Sequence, residues 1–164
     1  MSVVEVGRIA VAALASMALA VSSASDIRDR RIPNWTVLVV IALSAVWIAL
    51  GASPLISSLA AFAIAATATV ILWSLKVVGA GDSKLFTALA LFSGLAGLPQ
   101  LAVLTVIAGG AVAIASLASR PSRALAVLQR RGQGEFGRGV PYGVAIAAGG
   151  LVIIWSLALS PHIG

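Results

Sequence analysis

Apolar residues dominate the chain in six runs, at roughly 6–25, 35–51, 55–75, 85–98, 100–119 and 140–160, and polar residues gather in the gaps. A helix that crosses a bilayer needs about 20 such residues. The pattern therefore predicts an all-α fold, a polytopic membrane helical bundle of about six transmembrane helices. The fourth run is short for a ~30 Å hydrocarbon core, so it is expected to begin earlier or to cross obliquely. Helices are required throughout, because lipid offers backbone polar groups no other partner. Alternation of period two is absent, which argues against a β-barrel. Six crossings use about 120 residues, which leaves too little chain for a separate soluble domain. The expectation is one integral-membrane domain over 1–164.

Charge sets the orientation. Arg28, Arg30 and Arg31 fill the first gap, Lys76 and Lys84 flank the third, and Arg120, Arg123, Arg130, Arg131 and Arg138 fill the fifth. With six crossings these gaps share one side, and ten of the eleven Lys and Arg lie there; only Arg8 does not. The positive-inside rule makes that side cytoplasmic. Both termini are then expected outside the cytoplasm, and 120–139 becomes a basic cytoplasmic loop. The opposite turns, Gly51 to Pro54 and Gly97 to Pro99, are uncharged. A cleaved signal peptide, with Arg8 ahead of the apolar run and Ser22 to Ala24 as cleavage site, would put three arginines outside. The charge bias opposes it, so the first span is read as retained.

Composition narrows the chemistry. The chain is 60% hydrophobic and 10% charged, with a mean hydropathy of +1.10, against about 25% charge in soluble domains. It has no cysteine and one histidine, His162. Thiolate metal sites, disulfides and cysteine nucleophiles are excluded, and neither a metal centre nor a cofactor is expected. The net charge of +6 is explained by topology, so nucleic acid is not an expected partner; the bilayer is. Small residues recur in the third, fifth and sixth runs, which lets helices approach closely. Gly109-Gly110 and Gly149-Gly150 read as packing or bending sites.

Three of the five acidic residues lie in two clusters at the basic ends of spans. An ionisable group beside hydrocarbon is costly and is a functional hypothesis by default. The first cluster runs from Ser25 to Asn34 and contains Asp26 and Asp29. Pro33 disfavours helix at Ile32 and suits the first turn of the next helix. Asp26 is nearest the apolar run; Asp29, among three arginines, reads as a solvated ion partner or local cap. The second cluster is Gly79-Ala80-Gly81-Asp82-Ser83-Lys84. Asp82 could simply cap a helix, but a cap needs no preceding Gly-x-Gly, and the glycines leave room for another backbone beside the carboxylate. If these helix ends adjoin, Asp26 and Asp82 can converge. Two carboxyls sharing a site resist joint ionisation, so one can take a proton from water while the other polarises a peptide carbonyl.

Asp26, then Ile32-Pro33-Asn34, then Gly79-x-Gly81-Asp82-x-Lys84-Leu85, and finally Pro141-Tyr142-Gly143 resemble the type IV prepilin peptidases, membrane aspartic proteases of the Gly-x-Gly-Asp class. The resemblance covers most of the chain in the expected order. It implies catalysis by Asp26 and Asp82, with Gly79, Gly81, Lys84, Pro33, Asn34, Pro141, Tyr142 and Gly143 in substrate-binding or supporting roles. It implies an enzyme of the bacterial plasma (inner) membrane that cleaves the leader of a prepilin at the cytoplasmic face. The chain starts at its first span and lacks cysteine, so it is similar to the short peptidase-only forms of tight-adherence (Flp) pili, without the zinc domain and the N-methyltransferase activity of longer members. Lys84 could bind an acidic residue of the substrate or tune Asp82, or only snorkel to set topology.

Three other readings use the same residues. A small transporter would want polar groups near the midplane, where these spans carry only Ser and Thr. A magnesium enzyme could use Asp26 and Asp29, but Arg28, Arg30 and Arg31 would repel the metal. A noncatalytic pilus-assembly subunit is the third.

Overall fold

The computed structural model describes residues 2–118 and 142–160. The basic loop 120–139, Pro141 and His162 lie outside the described residues. Within them the chain forms five helices and no strand: α1 (Val3–Asp29), α2 (Asn34–Ala49), α3 (Leu55–Ser74), α4 (Ala80–Ala118) and α5 (Tyr142–Leu159). Four of these, all but the shorter apolar α2, are long and apolar enough to cross a membrane.

Local sequence explains the ends. Ser2 and Glu5 form a reciprocal capping box at the start of α1, which satisfies two amides that no helix can bond internally. Arg30 takes a left-handed conformation (φ 54°) and closes α1 with its N–H on the Asp26 carbonyl. Pro33 and Pro54 occupy the N-cap positions of α2 and α3, where the missing N–H costs nothing.

α4 is broken once, at Gly94 (φ 60°, ψ −178°). The expected turn at Gly97 to Pro99 is thus displaced. Pro99 lies inside the second stretch, close after the break, where a proline is least disruptive to a helix. Gly94 adopts a backbone that a side chain resists. Ser57 Oγ accepts the Leu95 N–H at 2.9 Å and replaces a lost helical bond. A Cβ at position 94 would meet Ser53 Oγ at 2.9 Å and Ser57 Oγ at 3.0 Å. Gly94→Ala is therefore expected to cost about 1–3 kcal/mol, read as earlier unfolding in detergent.

Hydrogen bonds and close approaches fix the directions. Ser22 bonds Thr36 near one end of α1 and α2, and Arg8 bonds the Leu50 carbonyl near the other, so the two run antiparallel. Thr69 meets Thr87, and Ser57 meets Leu95, so α3 runs antiparallel to 80–93. Gly109 faces Tyr142 and Gly149 faces Thr105, so 95–118 runs antiparallel to α5. These buried hydroxyl pairs join helices that gain little from apolar contact in lipid. The core between them holds Leu19, Val40, Leu85, Leu89, Phe92 and Ile154. Gly149 and Gly150 pack against Thr105 and Leu89, while nothing stands within 4 Å of a Cβ at Gly110. Arg8 is buried at the end opposite Asp26, where its guanidinium donates to Leu50, the closing residue of α2, at 3.2 Å. A cation is favoured there by the partial negative charge of a helix C-terminus.

Candidate active site

These directions bring the C-terminus of α1 and the N-termini of α2, α4 and α5 to one end of the bundle. Asp26 lies in the last turn of α1 and is only 7% exposed. Its Oδ2 accepts the Gly143 N–H at 2.9 Å, and the next amide, of Val144, also acts on the carboxylate. The first amides of α5 have no helical acceptor and carry the positive end of its dipole, so a carboxylate suits them. Gly143 makes this approach possible: a Cβ there would stand 2.8 Å from Asp26 Oδ2 and 3.0 Å from Ile32 Cδ1.

Asp82 is partly buried and is the third residue of α4. Its carboxyl turns back onto the Gly79 amide, as the acidic member of a capping box does. A Cβ on Gly79 would come within 2.9 Å of Asp82 Oδ2. The first glycine of Gly-x-Gly thus makes room for the carboxyl of Asp82 itself. The second, Gly81, accommodates Ile32, whose Cβ would lie 3.2 Å from a Cβ at that position. Ile32, lodged against both Gly81 and Gly143, brings the segments that carry Asp82 and Asp26 to one place, although the two aspartates are far apart in sequence. Carboxyls that share one site resist joint ionisation.

The stretch 13–114, which contains both aspartates and the Gly-x-Gly, matches the model of the type IV leader peptidase family. The chain belongs to that family. The family makes it a peptidase acting on protein, and its long apolar helices make it a membrane protein. No curated protein matches the chain, and no solved structure does.

The other expected residues that the structure describes sit at the same helix ends. Lys84 donates to Asn34 Oδ1 at 3.2 Å and links the first turns of α4 and α2. Pro33 precedes Asn34 with φ −65°. Tyr142 is 40% exposed, and its ring edge borders Gly109. Asp29 is exposed while Asp26 is buried. No cluster of three or more His, Cys, Asp or Glu is found among the described residues.

One neighbour enters the sequence reading only within Ile32-Pro33-Asn34, with no role at the site assigned to it. Ile32 lies between Gly81 and Gly143, beside both carboxyl-bearing segments. A signal for it existed: it is the one apolar residue between Arg28 and Pro33, and it follows four charged residues. A residue before proline is held extended, so its side chain leaves the connection in a fixed direction.

Proposed function

We propose that this peptidase is a membrane aspartic endopeptidase that removes the leader of type IV, Flp-like prepilins at the cytoplasmic face of the bacterial inner membrane. Asp26 and Asp82 form the catalytic pair. One carboxylate takes a proton from water, whose oxygen attacks the scissile carbonyl carbon while the other carboxyl donates its proton to the carbonyl oxygen. Collapse of the tetrahedral adduct breaks the C–N bond, and the departing amine takes up a proton. The chemistry uses no metal or cofactor. Gly79, Gly81, Pro33, Asn34, Lys84, Tyr142 and Gly143 support the pair or the substrate. In this reading the chain crosses the bilayer six times, with α4 contributing two crossings and both termini on the far side.

The observation that carries the proposal is the convergence of the Asp26 and Asp82 segments at one end of the bundle, with Ile32 lodged against Gly81 on one side and Gly143 on the other, within a family of leader peptidases. The test is co-expression with prepilins from the same genome, followed by intact-mass analysis of the pilin. Purified enzyme in detergent is then assayed with and without a chelator. A leader-sized mass loss that survives the chelator is expected. No mass loss with any prepilin would overturn the proposed substrate, and inhibition by the chelator would overturn the aspartic mechanism.

A further inference from the structure

Ile32 touches both halves of the candidate site with different atoms. Its Cβ and main-chain nitrogen lie against Gly81, at 3.2 and 3.6 Å from where a Cβ would be. Gly81 is the residue before Asp82. Its Cδ1 lies against Gly143, in the same notch that admits the Asp26 carboxylate. The side chain is also packed against the main core.

The connection that carries Ile32 is held on both sides. Arg30 turns the chain out of α1 with its left-handed backbone. Ser25 Oγ donates to the Arg31 carbonyl at 2.9 Å. Pro33 then fixes the entry into α2. The wedge therefore cannot slide without disturbing helix ends that are themselves capped.

We propose that Ile32 is a positioning residue, an apolar wedge that sets the gap between the Asp26 and Asp82 segments and keeps bulk water from between the two carboxyls. This rests on the reading of those aspartates as the catalytic pair. Both glycines then have one purpose in common: each gives up its side chain to receive the same isoleucine. Water kept out of the gap strengthens the interaction of the carboxyls, because screening weakens as the local dielectric falls.

That interaction has a readout. Coupled carboxyls titrate as a pair, and the separation of the two limbs of a bell-shaped rate profile reports how strongly they interact. The charged and donor groups facing the pair are Arg30 at the end of α1 and the amides of Gly79, Gly143 and Val144. Lys84 stands nearby, bonded to Asn34 of α2. None of them is changed by substitution at position 32.

The experiment measures kcat and KM for prepilin cleavage across pH with purified wild type, Ile32→Ala and Ile32→Val. Ile32→Ala is expected to lower kcat by about 10–100-fold, the scale of a ~1 Å misplacement, with KM within about twofold. Its two pH limbs should draw together as water enters. Ile32→Val keeps the branched stem and should retain most of the rate and the limb separation, which guards against a folding artefact. A profile lowered evenly with its limbs unmoved would overturn the wedge and leave the peptidase standing. Cleavage that persists in both Asp26→Asn and Asp82→Asn would overturn the catalytic pair, and the wedge with it.

Discussion

Asp26→Asn and Asp82→Asn are each expected to lower the rate of leader cleavage by about 10³-fold, within the range that positioned acid–base groups supply. Each replacement nearly preserves shape. Asparagine at 26 keeps an oxygen that can accept the Gly143 N–H, now 2.9 Å from Oδ2, so the seat at the start of α5 survives. What is lost is a group that can hold and release a proton. Asparagine at 82 likewise keeps an acceptor for the Gly79 amide but cannot pass a proton to a carbonyl. Asp29→Asn is the control: it is exposed and should cleave as wild type does. Time courses of pilin mass with purified variants decide the matter. An Asp26→Asn or Asp82→Asn enzyme within tenfold of wild type would remove the pair from the mechanism.

Gly143→Ala should be nearly as harmful, although it adds a single methyl group and touches no ionisable atom. The new Cβ would stand 2.8 Å from Asp26 Oδ2 and 3.0 Å from both Asp26 Cγ and Ile32 Cδ1. Carbon atoms normally rest about 3.5–4.0 Å apart, so the carboxylate must leave its seat on the α5 amides. A displacement of ~1 Å at a reacting group costs about 10²-fold, and that is the loss expected in kcat. Gly110→Ala separates this effect from a general intolerance of larger residues, because nothing lies within 4 Å of a Cβ there. Wild-type cleavage by Gly143→Ala would mean that Asp26 does its work elsewhere.

Much of this was legible in the sequence because the bilayer simplifies it. Apolar runs can only be helices in lipid, and α1, α2, α3 and α5 fall close to the expected segments. The aspartates stood out because acids beside hydrocarbon are rare. Gly143 and Tyr142 were reached only through family resemblance, since nothing local announces that an amide of α5 will meet a carboxylate on α1. The break in α4 was misplaced for a physical reason. Gly97 and Pro99 carry the stronger local turn signal, but Ser53 and Ser57, brought alongside by α3, reward a turn at Gly94. The packing of Ile32 between Gly81 and Gly143 and the Arg8 bond to Leu50 were hidden for the same cause. Each depends on which helices lie side by side, and periodicity does not carry that information.

The turn at Gly94 also shapes the surrounding lipid. The stretch 80–93 rises by ~1.5 Å per residue and so covers only about 20 Å, well short of a ~30 Å hydrocarbon core. Its far end is pinned beside the start of α3 through Ser57, so the shortfall accumulates at the end where Asp82 sits. Lipids next to a short hydrophobic element thin to match it, at a cost of fractions of a kcal/mol per Å. In a bilayer of that thickness the headgroups would be drawn down toward Asp82, dimpling the membrane beside the carboxyls. Water would then reach the carboxyls through that depression rather than along the length of the bundle.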